Sequence, residues 1–255
     1  MQINSTGRKI LVLGDVHQDI TRVENIVKAE QPDLTLCVGD WFDSLDYNEE
    51  HHVERTAQYI KKHIYNMDFI TLMGNHDVAY LYDNALTLCS GYTKRKNNLI
   101  DEIFGNFKPA IRDRFHWYLW LDDYLLTHAG LHHYHLPAYA SIDKEPLSKW
   151  LDYQVDQCKT ALIGQSSHWM FRAGAARGGR QVYGGTLWLD WRKEYEPIVG
   201  LKQIVGHTRN YRIDTKEHNP DRSNVAAGNI CIDCELAEYL IVNSGKITIK
   251  RYMDL

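Results

Sequence analysis

Five apolar runs in this 255-residue chain each stop at a polar cluster that sets Asp, His or Asn beside glycine. Lys9 to Leu13 ends at Gly14-Asp15-Val16-His17, and Asp33 to Val38 at Gly39-Asp40-Trp41-Phe42-Asp43. Asp68 to Met73 ends at Gly74-Asn75-His76-Asp77. Tyr124 to Leu126 ends at Thr127-His128-Ala129-Gly130, and Gln203 to Val205 at Gly206-His207-Thr208. Short runs rich in Ile, Leu and Val suit strands buried on both faces. Helical spacing separates the first three: Ile20, Val23, Ile26 and Val27 share one face, as do Val53, Ala57, Ile60 and Ile64. Strand, helix, strand, helix, strand predicts parallel βαβ units and an α/β fold. Ligands of open α/β sheets sit outside the carboxyl ends of the strands, where all five clusters stand.

The rest of the chain reads less clearly. The stretch from about Val78 to Trp120 resists assignment, and Cys89 to Asn98 reads as a polar loop. Ser141 to Arg172 reads as mainly helical, with Leu147, Leu151, Val155 and Cys158 at helical intervals, and Arg172 to Gly185 as a Gly- and Arg-rich loop. Ile230 to Ile232, Tyr239 to Val242 and Lys246 to Lys250 read as strands, the last two joined by the turn Asn243-Ser244-Gly245. No repeat, low-complexity tract or linker divides the sequence. The expectation is therefore one domain over residues 1–255, with a helical insertion at about 141–172.

Composition narrows the function. Net charge is −4, from 29 basic and 33 acidic residues, so no basic field or stripe draws in nucleic acid. No apolar run reaches the roughly 18 residues of a membrane span. Five cysteines (Cys37, Cys89, Cys158, Cys231 and Cys234) form an odd, sparse set that fits a reducing compartment and a cytoplasmic location. The lone C-x2-C at Cys231 and Cys234 lacks a second pair and reads as sheet.

Each polar residue has an ordinary explanation taken alone: Asp40 as a helix cap, Asn75 as a turn residue, His128 or His207 as an interior histidine. Their recurrence at five strand exits does not. Carboxylate, imidazole and amide oxygen together suit two divalent ions. One ion would take Asp15, His17 and a shared Asp40 oxygen; the other would take Asp40, Asn75, His128 and His207. Such a pair polarises a phosphoryl group and turns a bridging water into hydroxide at neutral pH.

The five clusters, in order from Gly14 to Thr208, resemble the motifs of the calcineurin-like metallophosphoesterases. Thr127-His128-Ala129-Gly130-Leu131 and Gly206-His207-Thr208 are similar to the PPP-type branch, which includes bacterial and phage serine/threonine protein phosphatases and symmetrical diadenosine tetraphosphatases. Leu187-Trp188-Leu189-Asp190 and Asn229-Ile230-Cys231-Ile232-Asp233 are looser matches. The resemblance implies a two-sheet β-sandwich flanked by helices (αββα) with a dinuclear centre at the strand ends. It implies manganese foremost, with iron, zinc, nickel or cobalt as alternatives. It also makes His76 the histidine near the leaving-group oxygen and Asp43 the carboxylate that orients and charges it.

Three departures stand out. Ser44-Leu45 follows Asp43 where the branch carries an arginine that grips phosphate, Asp77 replaces a glutamate, and Gln18 replaces a glycine. A phosphate still needs fixed cationic donors; the candidates are Arg172, Arg177, Arg180 and Arg192, with Arg192 favoured and Arg177 next. The clustered histidines His132, His133 and His135 read as a loop rim, and His51 and His52 as surface residues. The expected activity is hydrolysis of phosphomonoesters by attack of a metal-bridging hydroxide, on a phosphorylated protein or a small phosphorylated substrate. The alternative is hydrolysis of a dinucleoside polyphosphate or other nucleotide. A non-catalytic scaffold is disfavoured, because His76 and all six ligands are present. Sequence says nothing of the oligomeric state.

Overall fold

The computed structural model describes residues 1–44, 46–47, 49–216 and 228–255. Twelve strands are described: β1 (Gln2–Ile3), β2 (Lys9–Leu13), β3 (Leu34–Cys37), β4 (Phe69–Leu72), β5 (Phe115–His116), β6 (Leu119–Leu121), β7 (Tyr124–Leu126), β8 (Lys202–Val205), β9 (Asp214–Lys216), β10 (Asn229–Cys231), β11 (Glu238–Asn243) and β12 (Lys246–Arg251). Six α-helices accompany them: α1 (Ile20–Glu30), α2 (Glu50–His63), α3 (Asn75–Tyr82), α4 (Lys94–Phe104), α5 (Lys108–Arg112) and α6 (Lys144–Ile163).

The strands form two six-stranded sheets, ordered β12-β11-β2-β3-β4-β5 and β1-β6-β7-β8-β10-β9. β2, β3, β4 and β5 run parallel, as the βαβ reading requires, and β7, β8 and β10 run parallel in the other sheet. β11 and β12 form the expected antiparallel hairpin on the edge of the first sheet.

Side-chain alternation decides the layering. Ile10 and Val12 of β2, with Leu34 and Leu36 of β3, pack against Leu119, Leu126, Ile204 and Ile230 of the second sheet. Leu11 and Leu13 point the other way, into a cluster with Val23 and Ile26 of α1 and Val53, Ala57 and Ile60 of α2. Two mixed sheets face each other and helices cover them, as the resemblance implies.

Several elements depart from the sequence reading. The polar run at Cys89 to Asn98 contains the start of α4, where the Thr93 hydroxyl accepts the Lys96 N–H and so caps the helix. Its buried face carries Lys96 and Asn97 beside Ile100 and Phe104, which hides the apolar period. The helical stretch expected to Arg172 ends at Ile163, with only a 3₁₀ turn at Trp169–Phe171 beyond it. β1, β5 and β9 are two or three residues long, too short to show alternation.

Candidate metal centre

The five clusters meet at one end of the sandwich, where the carboxyl ends of β2, β3 and β4 face those of β7 and β8. The turns that bring them there are tight. His17, Gln18, Asp40, Asp43 and His207 all hold left-handed backbone, with φ between 45° and 68°, a conformation costly for residues with a Cβ and concentrated at functional sites. At φ 68°, Gln18 shows why glycine is usual there. Its own side chain supplies compensation: the amide oxygen accepts the Asp43 N–H at 3.2 Å, and the amide NH₂ donates to the Tyr47 carbonyl. Asp77 braces the next turn by accepting the backbone N–H groups of Asp40, Trp41 and Gly74 at 2.8, 2.8 and 3.0 Å. Gly74 and Gly206 are required sterically, because a Cβ would overlap the carboxylates of Asp40 and Asp15 respectively.

Asp40 stands at the middle. Its Oδ2 lies 3.3 Å from His128 Nε2, and its Oδ1 accepts the His76 N–H at 2.9 Å. On one side the donor atoms of Asp40, His128 and His207 lie within 4.8 Å of one another; on the other, those of Asp15, His17 and Asp40 do. Asn75 Oδ1 joins the first group, 3.0 Å from His128 Nε2 and 2.8 Å from His207 Nδ1. All six predicted ligands are thus gathered, and Asp40 is shared.

The hydrogen bonds behind these groups test whether cations fit. His128 Nδ1 lies 2.9 Å from the Val38 carbonyl and therefore carries the ring proton. Its Nε2 faces the oxygens of Asn75 and Asp40, where only a proton or a cation can stand. His17 is set the same way: Nδ1 donates to the Asp43 carbonyl at 2.5 Å, and Nε2 lies 3.9 Å from Asp15 Oδ2. Acceptors that point at one another repel unless positive charge stands among them. Backbone carbonyls that fix a histidine tautomer are the usual support of a ligand histidine. His207 Nε2 is buried with no hydrogen-bond partner among the described residues. The donor set fits two divalent cations.

Electrostatics agree. Burial, then the charges of Asp233 and Asp40, push the Asp15 carboxyl well above its ordinary range. Burial lowers the His128 imidazole, but the adjacent Asp40 charge outweighs it and leaves the ring raised. The buried carboxylates Asp15, Asp40 and Asp233 make this a pocket that demands positive charge. Asp233, at the exit of β10, belongs to this group, a role that its loosely matching segment does not reveal in the sequence.

His76 lies in the first turn of α3, with Nδ1 3.0 Å from Asp43 Oδ2. Burial lowers this imidazole, yet the Asp40 charge and the Asp43 hydrogen bond hold it well above the ordinary histidine range. Asp43 does not cap α2, which starts later, at Glu50. Instead its Oδ1 accepts from the Tyr80 hydroxyl at 2.6 Å and from Lys96 Nζ at 3.0 Å. His17, Asp43, Ser44, His76, Ser90 and Arg209 are among the residues lining a pocket of about 220 Å³ over this dyad.

Residues 8–211 match the sequence model of the calcineurin-like phosphoesterases. The chain belongs to that family. Among solved structures, a cold-active protein-tyrosine phosphatase of a psychrophilic Shewanella species is similar to this phosphoesterase at TM-score 0.57 and 13% identity, over 98% of this chain and 80% of that one. Another structure of a cold-active protein tyrosine phosphatase matches at TM-score 0.57 and 12% identity, over 98% and 78%. At such identities the likeness is one of fold. No curated protein sequence matches the chain. Calcineurin-like phosphoesterases use divalent metals, and the clusters above are where this one has groups able to hold them.

The arginine expectations fare differently. Arg192, the favoured phosphate ligand, is engaged at the surface, where Nε donates to Asn210 Oδ1 at 3.1 Å and Nη2 to the Arg209 carbonyl. It does not line the pocket over His76. Arg177 donates to Thr208 Oγ1 at 3.0 Å and pairs with Asp190 at 2.9 Å; burial foremost, then the charges of His128 and Arg177, lower the His207 imidazole. The pocket's own cation is Arg209, two residues past His207 and outside the expected arginines, paired with Glu235 at 2.5 Å. Nothing in the sequence positions of Lys96 and Tyr80 announces their link to Asp43. His132 is buried and stacks on Tyr183, His135 stacks on Trp169, and His51 is exposed at the start of α2. Cys231 and Cys234 are buried against backbone carbonyls and belong to no metal-ligating group among the described residues.

Proposed function

We propose that this phosphoesterase hydrolyses phosphomonoesters with two divalent cations, manganese foremost. The observation that carries the reading is the pairing of a shared-carboxylate site, centred on Asp40, with the His76–Asp43 dyad at its edge. Cations held by Asp15, His17 and Asp40, and by Asp40, Asn75, His128 and His207, would supply Lewis acidity toward a phosphoryl oxygen and acidify a water.

The protein's own groups have separate tasks. Asp43 takes Nδ1 of His76, so Nε2 is the position from which the ring gives a proton to the departing oxygen. Tyr80 and Lys96 fix the Asp43 carboxylate so that it orients the ring. Arg209 supplies the charge that receives the phosphate in place of the arginine missing after Asp43. Its partner Glu235 holds it over the pocket until an anion competes for it. A phosphorylated protein or a small phosphate ester is the substrate class, and the cold-active tyrosine phosphatases of similar fold make phosphotyrosine the first to try.

Ser44 in the place of that arginine favours a second reading, hydrolysis of a dinucleoside polyphosphate or other nucleotide. Purified protein is expected to turn over p-nitrophenyl phosphate with Mn²⁺ and to stop with a chelator. Phosphotyrosine, phosphoserine and phosphothreonine peptides set beside diadenosine tetraphosphate separate the two readings. Silence toward all of these with each of Mn²⁺, Fe²⁺, Zn²⁺, Ni²⁺ and Co²⁺ would overturn both.

A further inference from the structure

The loop before α4 carries Cys89 to the back of the His76–Asp43 dyad. Its Sγ lies 3.4 Å from His76 Nδ1, on the same ring nitrogen that faces Asp43 Oδ2 at 3.0 Å. Thiol, imidazole and carboxylate therefore converge, with all three donor atoms within 4.8 Å of one another. From this we infer a third metal site, an inhibitory one for Zn²⁺, built from Asp43, His76 and Cys89 and distinct from the dinuclear pair.

The spacing suits that ion. Zinc bonds of about 2.0–2.1 Å to nitrogen and oxygen and about 2.3 Å to sulfur place tetrahedral ligands roughly 3.3–3.6 Å apart. The separations of 3.4 and 3.0 Å come within a few tenths of an ångström of this. Tyr80 and Lys96 occupy Asp43 Oδ1, leaving Oδ2 toward the ring. A sulfur ligand selects zinc over the harder ions that an Asp, Asn and His set accepts. Among the described residues no other ligating group contains a cysteine. Access is open from two sides: Asp43 and His76 line the 220 Å³ pocket, and Cys89 lines a neighbouring cleft of about 390 Å³, with Ser90 common to both.

Binding exchanges charge simply. Zn²⁺ enters, and the protons on His76 Nδ1 and on the Cys89 thiol leave to solvent. Zinc takes the place of the Nδ1 proton, and the zinc-bound ring keeps an Nε2–H far less acidic than that of an imidazolium, so zinc inhibits by removing the proton donor. That consequence rests on the role proposed for His76; the binding itself does not.

The test uses the whole chain saturated with Mn²⁺ and titrated with Co²⁺ as a spectroscopic stand-in, and separately with Zn²⁺. One equivalent of Co²⁺ is expected to give a thiolate-to-cobalt charge-transfer band that Cys89→Ser lacks. Cobalt exchanged into the dinuclear site gives no such band, because that site has no sulfur. Cys89→Ser is expected to keep its activity without zinc and to need at least about 10 times more Zn²⁺ for half-inhibition, since losing even an outer partner of a metal ligand costs about 10–100-fold. Cys89→Ala replaces the serine variant if that does not fold. No band in the unmodified protein, or a band that survives removal of Cys89, overturns the site. A band lost with Cys89 in a protein without phosphatase activity upholds the site and rejects the function instead.

Discussion

His76 shows how one side chain is prepared by others. Burial alone would keep its imidazole neutral, but the Asp40 charge and the Asp43 hydrogen bond raise it well above the ordinary range. Asp43 in turn stays in line because Tyr80 and Lys96 hold its far oxygen. The His76→Ala variant is expected to lower kcat by about 10²–10⁴, the usual contribution of a general acid, while manganese content measured by elemental analysis stays the same. Turnover equal to that of the unmodified protein would refute its role. Metal content is separable because His76 offers the centre only its backbone N–H, to Asp40 Oδ1.

Elements are tied together by a second, structural knot away from the centre. Glu30 ends α1 and is buried, with Lys9 of β2 at 2.8 Å, Tyr239 of β11 at 2.7 Å and Lys250 of β12 at 3.0 Å. Burial pushes its carboxyl up, but the Lys9, Tyr239 and Lys250 donors win and lower it from 4.5 to about 2. A carboxyl more acidic in the folded state binds fewer protons there than in the unfolded chain. Its stabilisation is therefore complete at neutral pH and lost as pH falls from about 4.5 towards 2. Glu30→Gln should cost about 1–3 kcal/mol at neutral pH, as expected for lost charge-assisted bonds, and remove part of the acid sensitivity. Denaturant titrations at pH 7 and pH 3 check this; an equal loss at both values would reject the account.

At the scale of the whole molecule, the centre spans two sheets. Asp15, His17, Asp40 and Asn75 follow strands of one sheet, whereas His128 and His207 follow strands of the other. Cations bound there would cross-link the layers, and the unfolded chain would offer them no such site. Mn²⁺ at 100 times its dissociation constant should stabilise the protein by about 2.7 kcal/mol, which raises Tm by roughly 5–10 °C for a chain of this size. Thermal scans with Mn²⁺ and with chelator measure it. An unchanged Tm, in a protein shown to hold metal, would mean that the ions do not bridge the sheets. Among the described residues no helix is long and apolar enough to cross a membrane.

What the sequence determined alone was local. Buried parallel strands need unbroken Ile, Leu and Val, so β2, β3 and β4 announced themselves, and the polar residues at their ends stood out against that background. Helical spacing revealed α1 and α2 because each shows one apolar face to a sheet. What it could not give was everything that depends on long-range closure. Nothing in the sequence places β7 and β8 in the opposite sheet, since a strand's partners are set by packing between layers. Lys96 reaches Asp43 only because α4 lies beside the dyad, and a helix that buries lysine and asparagine carries no clean apolar period. The arginine choice turned on orientation for the same reason: Arg192 and Arg209 touch in the fold, yet of the two only Arg209 lines the pocket. Chemistry was written in residue types at strand ends, while geometry belonged to the tertiary fold, because side-chain direction follows from what lies across the core.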